Sequence, residues 1–200
     1  MKLNSLSDLG CTGMRNYSLV TAVRHGESTW NRDKIVQGQH DGAVLTEEGW
    51  QQARACGVTL QSHGYTSIIS SDLQRTRETA LAINETLQLP ISYDARLRER
   101  SYGVLETGPS AAVTPEVSGF SDGRVVSLSA APPNGESLTD LFDRVGSFLD
   151  DLFVEERVSP VLLVTHGGTI RALLAHAAGV SMDRLPWGPV RNCTVWRLGD

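Results

Sequence analysis

The sequence predicts an α/β protein with three layers, in which helices cover both faces of a mostly parallel sheet. The first observation is that short apolar strands alternate with amphipathic helices along the chain. The second is that two separate apolar strands end in His-Gly, which is typical of strand ends at one edge of a parallel sheet. The 200-residue length favours a single domain over residues 18–200, preceded by a flexible leader over residues 1–17.

Four segments have the composition of strands. Residues 18–23 form a β-rich segment that stops at Arg24-His25-Gly26, and residues 66–70 form a second. Residues 160–165 are strongly apolar and stop at His166-Gly167-Gly168, and residues 193–198 alternate as a last strand.

Four segments have helical periodicity. Thr46 begins the first, and the pattern Ser71-x-x-Gln74 predicts a capping box that starts the second, which ends before Pro90. Ser137 is the predicted N-cap of the third, whose apolar face extends to residue 152. The fourth covers residues 169–178 and stops at Gly179.

Residues 107–134 differ from the rest of the chain. They are rich in Ser, Ala, Pro and Gly, have weak periodicity, and contain one basic residue, Arg124. This composition predicts a long loop or cap, with a cap segment over about residues 104–136.

Composition excludes several classes of protein. A net charge of −5 argues against a nucleic-acid binder, although local arginines can still hold a small anion. Cys11, Cys56 and Cys193 have no C-x-x-C spacing, which argues against a disulfide framework or a zinc-cysteine site. No apolar run has membrane-spanning length, and the leader lacks the apolar core of a secretory signal. We expect a cytoplasmic protein, monomeric or homodimeric, with Met14 as a candidate start.

The two strand ends predict an anion site. His25 and His166 follow parallel strands, so both lie at the same edge of the sheet. Each is followed by a glycine, Gly26 or Gly167, that lets backbone approach a ligand closely. A helix begins soon after, and its first amides can face an anion. These features together predict a phosphate-binding cradle.

Arginines complete this cradle. Arg24 precedes the first histidine, and Arg75 lies in the first turn of the second helix, again beside a strand end. Guanidinium groups match phosphate oxygens in a bidentate fork and stay charged at physiological pH. Asn31 is a further candidate donor. A histidine at a strand end is often only a loop residue, so the convergence of these side chains carries the prediction.

Six short motifs follow one another along the chain: Arg24-His25-Gly26-Glu27-Ser28-Thr29-Trp30-Asn31, Gly38-x-x-Asp41, Leu45-Thr46-x-x-Gly49, Ser70-Ser71-Asp72-Leu73-x-Arg75-Thr76, Leu97-x-Glu99-x-x-x-Gly103 and His166-Gly167-Gly168. Their order resembles the histidine phosphatase superfamily in its phosphoglycerate-mutase-like branch. The resemblance extends over residues 19–198 and implies a phosphoglycerate-mutase-like fold.

The resemblance implies a role for each site residue. His25 would be the nucleophile that forms a phosphohistidine, and Glu99 would be the general acid and then the base. No metal or other cofactor is implied, and the sequence has no metal-binding motif. The phosphoryl oxygens would be bound by Arg24, Asn31, Arg75, His166 and Gly167.

Further residues have weaker assignments. Gly38, Tyr102 and Glu136 belong to blocks of the family and are candidate substrate contacts. The remaining arginines of interest are expected to be salt-bridged surface groups: Arg77, Arg96, Arg98 and Arg100. We expect structural or surface roles for His40, His63, His176 and Trp30.

The resemblance leaves the reaction open between a phosphatase and a mutase, and we favour hydrolysis. The segment after Gly103 lacks the lysine expected in mutases, and Gly168 stands where mutases usually carry asparagine. Thr107 departs from a common glycine, so the cap entrance is expected to differ. An almost uncharged cap favours a small phosphorylated metabolite with a neutral or apolar leaving group, or several substrates. The alternatives are a cofactor-dependent phosphoglycerate mutase and a non-catalytic phosphate-binding protein.

Overall fold

The computed structural model describes residues 15–154, 159–185 and 190–199. The predictions for Cys11, for Met14 and for most of the leader lie outside these residues. The strands are β1 (Val20–Arg24), β2 (Ser67–Ser70), β3 (Ile91–Tyr93), β6 (Val161–Thr165) and β7 (Val195–Arg197), with a hairpin of β4 (Phe120–Ser121) and β5 (Arg124–Val125). The first five form one sheet in the order β3-β2-β6-β1-β7. Four of these are parallel, and only β7 pairs antiparallel.

Helices cover both faces of this sheet, so the predicted three-layer architecture is confirmed. Helices α2 and α3 pack on each other over one face, and α5 and α6 pack on each other over the other. The helices are α1 (Thr29–Arg32), α2 (Glu47–Leu60), α3 (Gln74–Leu87), α4 (Pro115–Ser118), α5 (Leu138–Leu152) and α6 (Gly167–Ala178). None of the described helices is both long and apolar enough to cross a bilayer.

The central strand β6 shows why the sheet needs two helical layers. Its five residues are all buried, and successive side chains point to opposite faces. Val161 and Leu163 belong to the core under α5 and α6, whereas Leu162 and Val164 belong to the core under α2 and α3. A strand that is apolar on both faces is stable only between two layers.

Strand register places the histidines side by side. Arg24 at the end of β1 pairs with Thr165 at the end of β6. The backbone N–H of His25 donates to the Thr165 carbonyl at 2.9 Å. The residues that follow these two strands therefore leave the sheet at the same edge, as predicted.

Three of the predicted helix ends are confirmed. The Thr46 hydroxyl accepts from the Gly49 amide, and Ser137 forms a reciprocal capping box with Asp140. Gly179 follows α6 with φ of +64°, a left-handed conformation that glycine adopts without steric cost.

The predicted capping box at Ser71 is wrong. Helix α3 begins at Gln74, and its N-cap is Leu73, which makes no side-chain capping bond. The Ser71 hydroxyl instead lies 3.0 Å from Nε2 of His166. The Ser71 side chain, which the local sequence pattern assigned to a helix cap, therefore makes a tertiary contact instead.

Other differences are local. Strand β3 was not predicted, because three residues at a sheet edge carry little periodicity. Helix α6 starts at Gly167, two residues before the predicted position. Within the cap segment, the loop prediction missed α4 and the β4–β5 hairpin, whose two-residue strands are too short for a sequence pattern.

Candidate active site

Two buried imidazole rings form the centre of the site. His25 is 3% exposed and His166 is fully buried. Their ring centroids are 5.2 Å apart, and the rings meet edge to face at 61°. One anion placed between β1 and β6 can therefore contact both.

The His25 ring is held in one tautomer. Its Nδ1 lies 2.8 Å from the Gly26 carbonyl oxygen, which can only accept, so Nδ1 carries the proton and Nε2 has the free lone pair. Burial holds the pKa of His25 well below its usual value, and the positive charges of Arg75 and Arg24 lower it further. The ring is therefore neutral near pH 7, the form that a nucleophile requires.

His166 is positioned by Ser71. Its Nε2 lies 3.0 Å from the Ser71 hydroxyl, and its Nδ1 is buried without a hydrogen-bond partner. Burial, followed by the charge of Arg75, holds its pKa well below the usual histidine value. The ring thus presents one unused nitrogen to the interior.

Arg75 is a fully buried guanidinium group. It donates to the carbonyl oxygens of Gly38 at 2.7 Å and His40 at 3.2 Å. Burial lowers the pKa of Arg75 to about 10, so the group stays charged at neutral pH. Gly38 has φ of +49°, and a Cβ there would lie 2.1 Å from the Glu106 carboxylate. Glycine at position 38 therefore allows the backbone conformation in which the Gly38 carbonyl oxygen accepts from Arg75. In this structure Gly38 thus helps to position the Arg75 guanidinium group.

Arg24 lies on the other side of the site. Its guanidinium group donates to the Val190 carbonyl, while its Nε is buried and has no partner. A Cβ added at Gly167 would lie 3.9 Å from that Nε. Glycine at this position therefore keeps the space between Arg24 and the start of α6 open.

The side chains of this centre carry buried nitrogen atoms that have no partner among the described residues. Four buried side-chain polar atoms lack a hydrogen-bond partner among the described residues, and three of them belong to Arg24, Arg75 and His166. Leaving a buried donor unsatisfied costs about 1–3 kcal/mol, and more for a charged group. A tetrahedral oxyanion supplies several acceptors at once. The cluster therefore fits a phosphoryl group.

Glu99 is fixed by backbone amides. Its two carboxylate oxygens accept from the N–H groups of Arg100 at 2.9 Å and Gly168 at 3.2 Å. A Cβ at Gly168 would lie 2.4 Å from the Glu99 carboxylate. A side chain at position 168 would therefore displace the carboxylate of Glu99, the proposed acid. This is a steric reason for glycine at this position.

Asn31 is oriented by the capping box that it forms with Ser28 at the start of α1. Its Oδ1 accepts from the backbone and hydroxyl of Ser28 at 3.2 and 3.1 Å. Because its oxygen is used there, its Nδ2 is the group that can donate to a ligand. Asn192 links it to the nucleophile, donating to the His25 carbonyl at 2.9 Å and to the Asn31 Oδ1 at 3.3 Å.

A cavity of about 440 Å³ opens beside Glu99. Its lining includes the polar side chains Arg24, Glu99, Arg100, Tyr102 and Arg171 and the apolar side chains Phe120, Leu138, Leu141 and Val190. Burial raises the pKa of Tyr102, and the nearby Glu99 raises it further, so the phenol stays protonated as a donor. Tyr102 therefore lies where a substrate contact was predicted. The cationic side chains come from outside the cap, so an uncharged cap does not make this cavity neutral.

Glu136 does not line this cavity. Its carboxylate forms a bidentate ion pair with Arg144 at 2.7 Å and accepts from the Ser101 amide at 2.9 Å. Arg144 in turn donates to three carbonyl oxygens of residues 96–99. The structure thus gives Glu136 and Arg144 a supporting role for the loop that carries Glu99.

The other arginines divide into three groups. Arg96 and Arg98 form ion pairs as predicted, with Asp94 and Asp151 and with Asp72. Arg77 is exposed as predicted, but within the described part of the chain it lies over the Tyr93 ring and forms no ion pair. The prediction is wrong for Arg100, which is 2% exposed and donates only to carbonyl oxygens among the described residues.

The remaining histidines lie outside the site. Trp30 stacks on His40, His63 stacks on Tyr65, and His176 stacks on Phe142, each with a structural role as predicted. Within the described part of the chain, no three His, Cys, Asp or Glu side chains are grouped closely enough to hold a metal ion.

Three residues near the site were missed from the sequence: Ser71, Arg171 and Asn192. Ser71 was assigned to a helix cap, and Asn192 lies in a stretch without regular pattern. Arg171 had a usable signal, because it follows Gly167 by one helical turn and so lies on the same face of α6.

The chain belongs to the histidine phosphatase superfamily. The family model for its branch 1 matches residues 20–199, nearly the whole chain. A protein named probable phosphoglycerate mutase GpmB from Yersinia enterocolitica is 37% identical over 187 residues, covering 90% of this chain and 83% of that protein. The family that the motifs resemble is therefore confirmed.

Solved structures of similar proteins cover most of this chain as well. A mycobacterial glucosyl-3-phosphoglycerate phosphatase, solved with VO3, is 28% identical, with a TM-score of 0.75 and coverage of 90% of this chain and 93% of that one. A protein from Thermus thermophilus is 33% identical, with a TM-score of 0.68 and coverage of 88% and 90%. The relatives' names thus include both a mutase and a phosphatase.

Proposed function

We propose that the protein hydrolyses the phosphomonoester of a small metabolite without a metal ion, through a phosphohistidine on His25. The observation that carries this proposal is the tautomer of His25. A neutral ring with Nε2 free lies in a centre where Arg24, Arg75 and His166 each have a buried nitrogen atom without a partner among the described residues.

In the first step, Nε2 of His25 attacks phosphorus and the bond from phosphorus to the leaving oxygen breaks. Arg24 and Arg75 stabilise the charge on the three remaining phosphoryl oxygens. Protonated Glu99 donates its proton to the leaving oxygen, so the metabolite departs as an alcohol and His25 becomes phosphorylated.

In the second step, a water molecule enters the position that the alcohol left. Glu99, now a carboxylate, takes a proton from this water as its oxygen attacks phosphorus. The bond between phosphorus and Nε2 breaks, inorganic phosphate is released, and both His25 and Glu99 return to their starting states.

The first test is hydrolysis of p-nitrophenyl phosphate without added metal, comparing wild type with His25→Ala. We expect at least a 1,000-fold loss of kcat, while His63→Ala, which changes a half-exposed ring outside the site, retains activity. Equal inactivity of wild type and His25→Ala would instead favour a non-catalytic phosphate-binding protein. Wild type should also trap an acid-labile, base-stable phosphoenzyme that His25→Ala cannot form.

A phosphoglycerate mutase is the second candidate. The relatives named probable phosphoglycerate mutase and the presence of Tyr102 in the cavity support it. Against it, the segment from residue 104 to 136 contributes a single basic residue, Arg124, which is exposed. Conversion of 3- to 2-phosphoglycerate, assayed with and without 2,3-bisphosphoglycerate, separates the two. Isomerisation faster than phosphate release would overturn the hydrolase proposal.

A further inference from the structure

We propose that Thr79 is a positioning residue for the nucleophile, because its hydroxyl group holds the backbone that follows His25 and so keeps Nε2 of that ring directed into the anion site. This proposal rests on the proposed phosphatase activity and deepens it. Thr79 lies on α3, behind the reacting groups, and acts only through the backbone of Gly26.

The Thr79 hydroxyl group makes two hydrogen bonds of opposite kind. It accepts from the backbone N–H of Gly26 at 3.0 Å and donates to the backbone carbonyl oxygen of Arg75 at 2.7 Å. A bond from a helical threonine to the carbonyl oxygen four residues earlier is common and positions nothing outside the helix. Here that bond turns the oxygen's lone pairs towards Gly26. The hydroxyl group therefore joins the backbone after the nucleophile to the backbone of a phosphate-binding arginine.

The peptide group between His25 and Gly26 is held at both ends. Its N–H donates to Thr79, and its carbonyl oxygen, that of His25, accepts from Nδ2 of Asn192 at 2.9 Å. A Cβ at Gly26 would lie 2.5 Å from the Gly49 carbonyl oxygen, so this backbone also packs directly against the first turn of α2. Rotation of the peptide group would break both hydrogen bonds, which together form a clamp on it.

This clamp controls the bond that fixes the tautomer of His25. Nδ1 of the ring lies 2.8 Å from the carbonyl oxygen of Gly26, one residue later in the chain. The ring reaches that oxygen only within a narrow range of backbone angles at the two residues. Without the clamp the Gly26 carbonyl oxygen can move away from Nδ1, and the proton is then free to occupy Nε2 instead. A ring protonated at Nε2 has no lone pair there for attack on phosphorus.

Burial makes the hydroxyl group of Thr79 hard to replace. Thr79 is fully buried, and a valine side chain has the same shape without the oxygen atom. Thr79→Val therefore removes this partner from both the Gly26 N–H and the Arg75 carbonyl oxygen, whereas Thr79→Ser keeps it. The two variants separate the effect of the hydroxyl group from that of side-chain volume.

The first measurement is the rate of His25 phosphorylation by p-nitrophenyl phosphate in a single turnover. We expect Thr79→Val to slow this step about 10- to 100-fold, because a displacement of about 1 Å at the reacting atoms can cost 100-fold in rate. Thr79→Ser should stay within about threefold of wild type. The inhibition constant of inorganic phosphate should change less than about threefold in both variants, since the side chains that contact the anion are unchanged.

Ile83→Val is the matched control for loss of stability. Ile83 is fully buried one turn after Thr79 on the same helix, and the loss of one methylene group costs about 0.5–1.5 kcal/mol of stability. Phosphorylation should keep the wild-type rate in this control. Equal slowing in Thr79→Val and Ile83→Val, or in Thr79→Val and Thr79→Ser, would overturn the proposal, as would an unaffected rate in Thr79→Val.

A spectroscopic measurement separates the clamp from the proposed catalysis, because it requires no turnover. Nitrogen-15 NMR of the imidazole rings, assigned with His25→Ala, should show His25 with a protonated Nδ1 and an unprotonated Nε2 in wild type and in Ile83→Val. In Thr79→Val the two nitrogen signals should move towards each other as the tautomers mix. Asn192→Ala breaks the other end of the clamp outside the core and should have the same effect.

An unchanged His25 spectrum in Thr79→Val would reject the role of Thr79 even if activity fell. If Thr79→Val does not fold, the spectrum of Asn192→Ala decides in the same way. Mixed tautomers in these variants would support the clamp even if the protein hydrolysed none of the esters tested, so failure of the proposed function and failure of this inference give different results.

Discussion

Individual side chains in this site have ionisation states that the fold imposes. Histidine in an unfolded chain has a pKa near 6.5, about half a unit below neutral pH. In the folded protein, burial and the charge of Arg75 favour the neutral rings of His25 and His166. The neutral ring of His25 has the lone pair that nucleophilic attack requires. Because both rings stay neutral in the folded protein, the free energy of unfolding depends on pH.

We predict that the free energy of unfolding decreases as pH falls below about 6.5. The unfolded chain then takes up protons at these two histidines, whereas the folded chain does not, because both pKa values are lowered in the folded state. The loss can reach about 1.4 kcal/mol per pH unit for each histidine, and the full stability is present above about pH 7. Urea unfolding of wild type, His25→Asn and the control His63→Asn between pH 7.5 and 5 measures this slope. A slope that His25→Asn leaves as steep as in wild type would contradict the prediction.

Thr107 provides a second prediction for a single residue. It has φ of +72°, a conformation that costs an L-residue with a side chain about 1–2 kcal/mol, and its β-branching adds crowding. Thr107→Gly should raise the free energy of unfolding by about 1 kcal/mol, since the relieved strain exceeds the added entropy of the unfolded chain. The same change in α2, Thr59→Gly, should lower it. Chemical denaturation measures both, and a destabilised Thr107→Gly would show that this position is not strained.

Among the secondary-structure elements, the cap has the least regular structure and depends on a buried side chain. Its short helix α4 and hairpin β4–β5 have few backbone hydrogen bonds of their own. The Arg100 guanidinium group joins separate parts of the cap by donating to four of its carbonyl oxygens. A single side chain from the loop that also carries Glu99 therefore links parts of the cap that are distant in sequence.

We predict that Arg100→Met loosens the cap and leaves the sheet intact. Amide hydrogen exchange should accelerate at least tenfold over residues 117–130, because the four carbonyl oxygens lose their shared donor. Exchange in β1 and β6 should stay slow. Arg124→Met changes an exposed arginine in the same segment and serves as the matched control. Unchanged exchange over residues 117–130 in Arg100→Met would reject this role.

The start of helix α6 offers a prediction on activity. A Cβ at Gly168 would lie 2.4 Å from the Glu99 carboxylate, so Gly168→Ala must displace the proposed acid. We expect kcat for an alkyl phosphate to fall at least tenfold. The loss should be much smaller for p-nitrophenyl phosphate, whose leaving group needs little protonation. Gly179→Ala at the other end of α6 is the control, and equal losses on both substrates would indicate general damage instead.

At the scale of the whole molecule, the site joins three parts of the chain that are distant in sequence. His25 follows β1, Arg75 lies in the first turn of α3, and His166 follows β6, all at one edge of the sheet. An anion that contacts all three side chains therefore links these elements. Binding to the folded state alone raises the apparent stability by RT ln(1 + [L]/Kd).

We therefore predict that inorganic phosphate raises the midpoint of thermal unfolding. At a phosphate concentration 100 times Kd, the stabilisation should be about 2.7 kcal/mol, relative to sodium chloride of equal ionic strength. His25→Asn and Arg75→Met should each reduce this shift, whereas Arg54→Met, which changes an exposed ion pair with Glu85, should retain it. An identical shift in all variants would mean that phosphate acts elsewhere.

Much of this architecture was predictable because local patterns reflect burial directly. The apolar strand before His166 and the periodic face of α5 predicted their elements, and the His-Gly endings predicted which strands meet. The capping box at Ser71 failed for a physical reason. The local sequence pattern takes account only of hydrogen-bond partners near Ser71 in the chain. In the folded protein the Ser71 hydroxyl lies beside His166, a partner that is distant in sequence.

The sequence by itself indicated the family, the strands β1, β2, β6 and β7, the four long helices, and the convergence of His25, His166, Arg24 and Arg75, because these depend on residue type and strand direction. Only the tertiary structure decided which nitrogen of His25 is free, that glycine at position 168 leaves room for the Glu99 carboxylate, and that Arg100 binds carbonyl oxygens of the cap while Arg171 lines the cavity. Those features depend on distances between residues far apart in sequence, which neither composition nor periodicity contains.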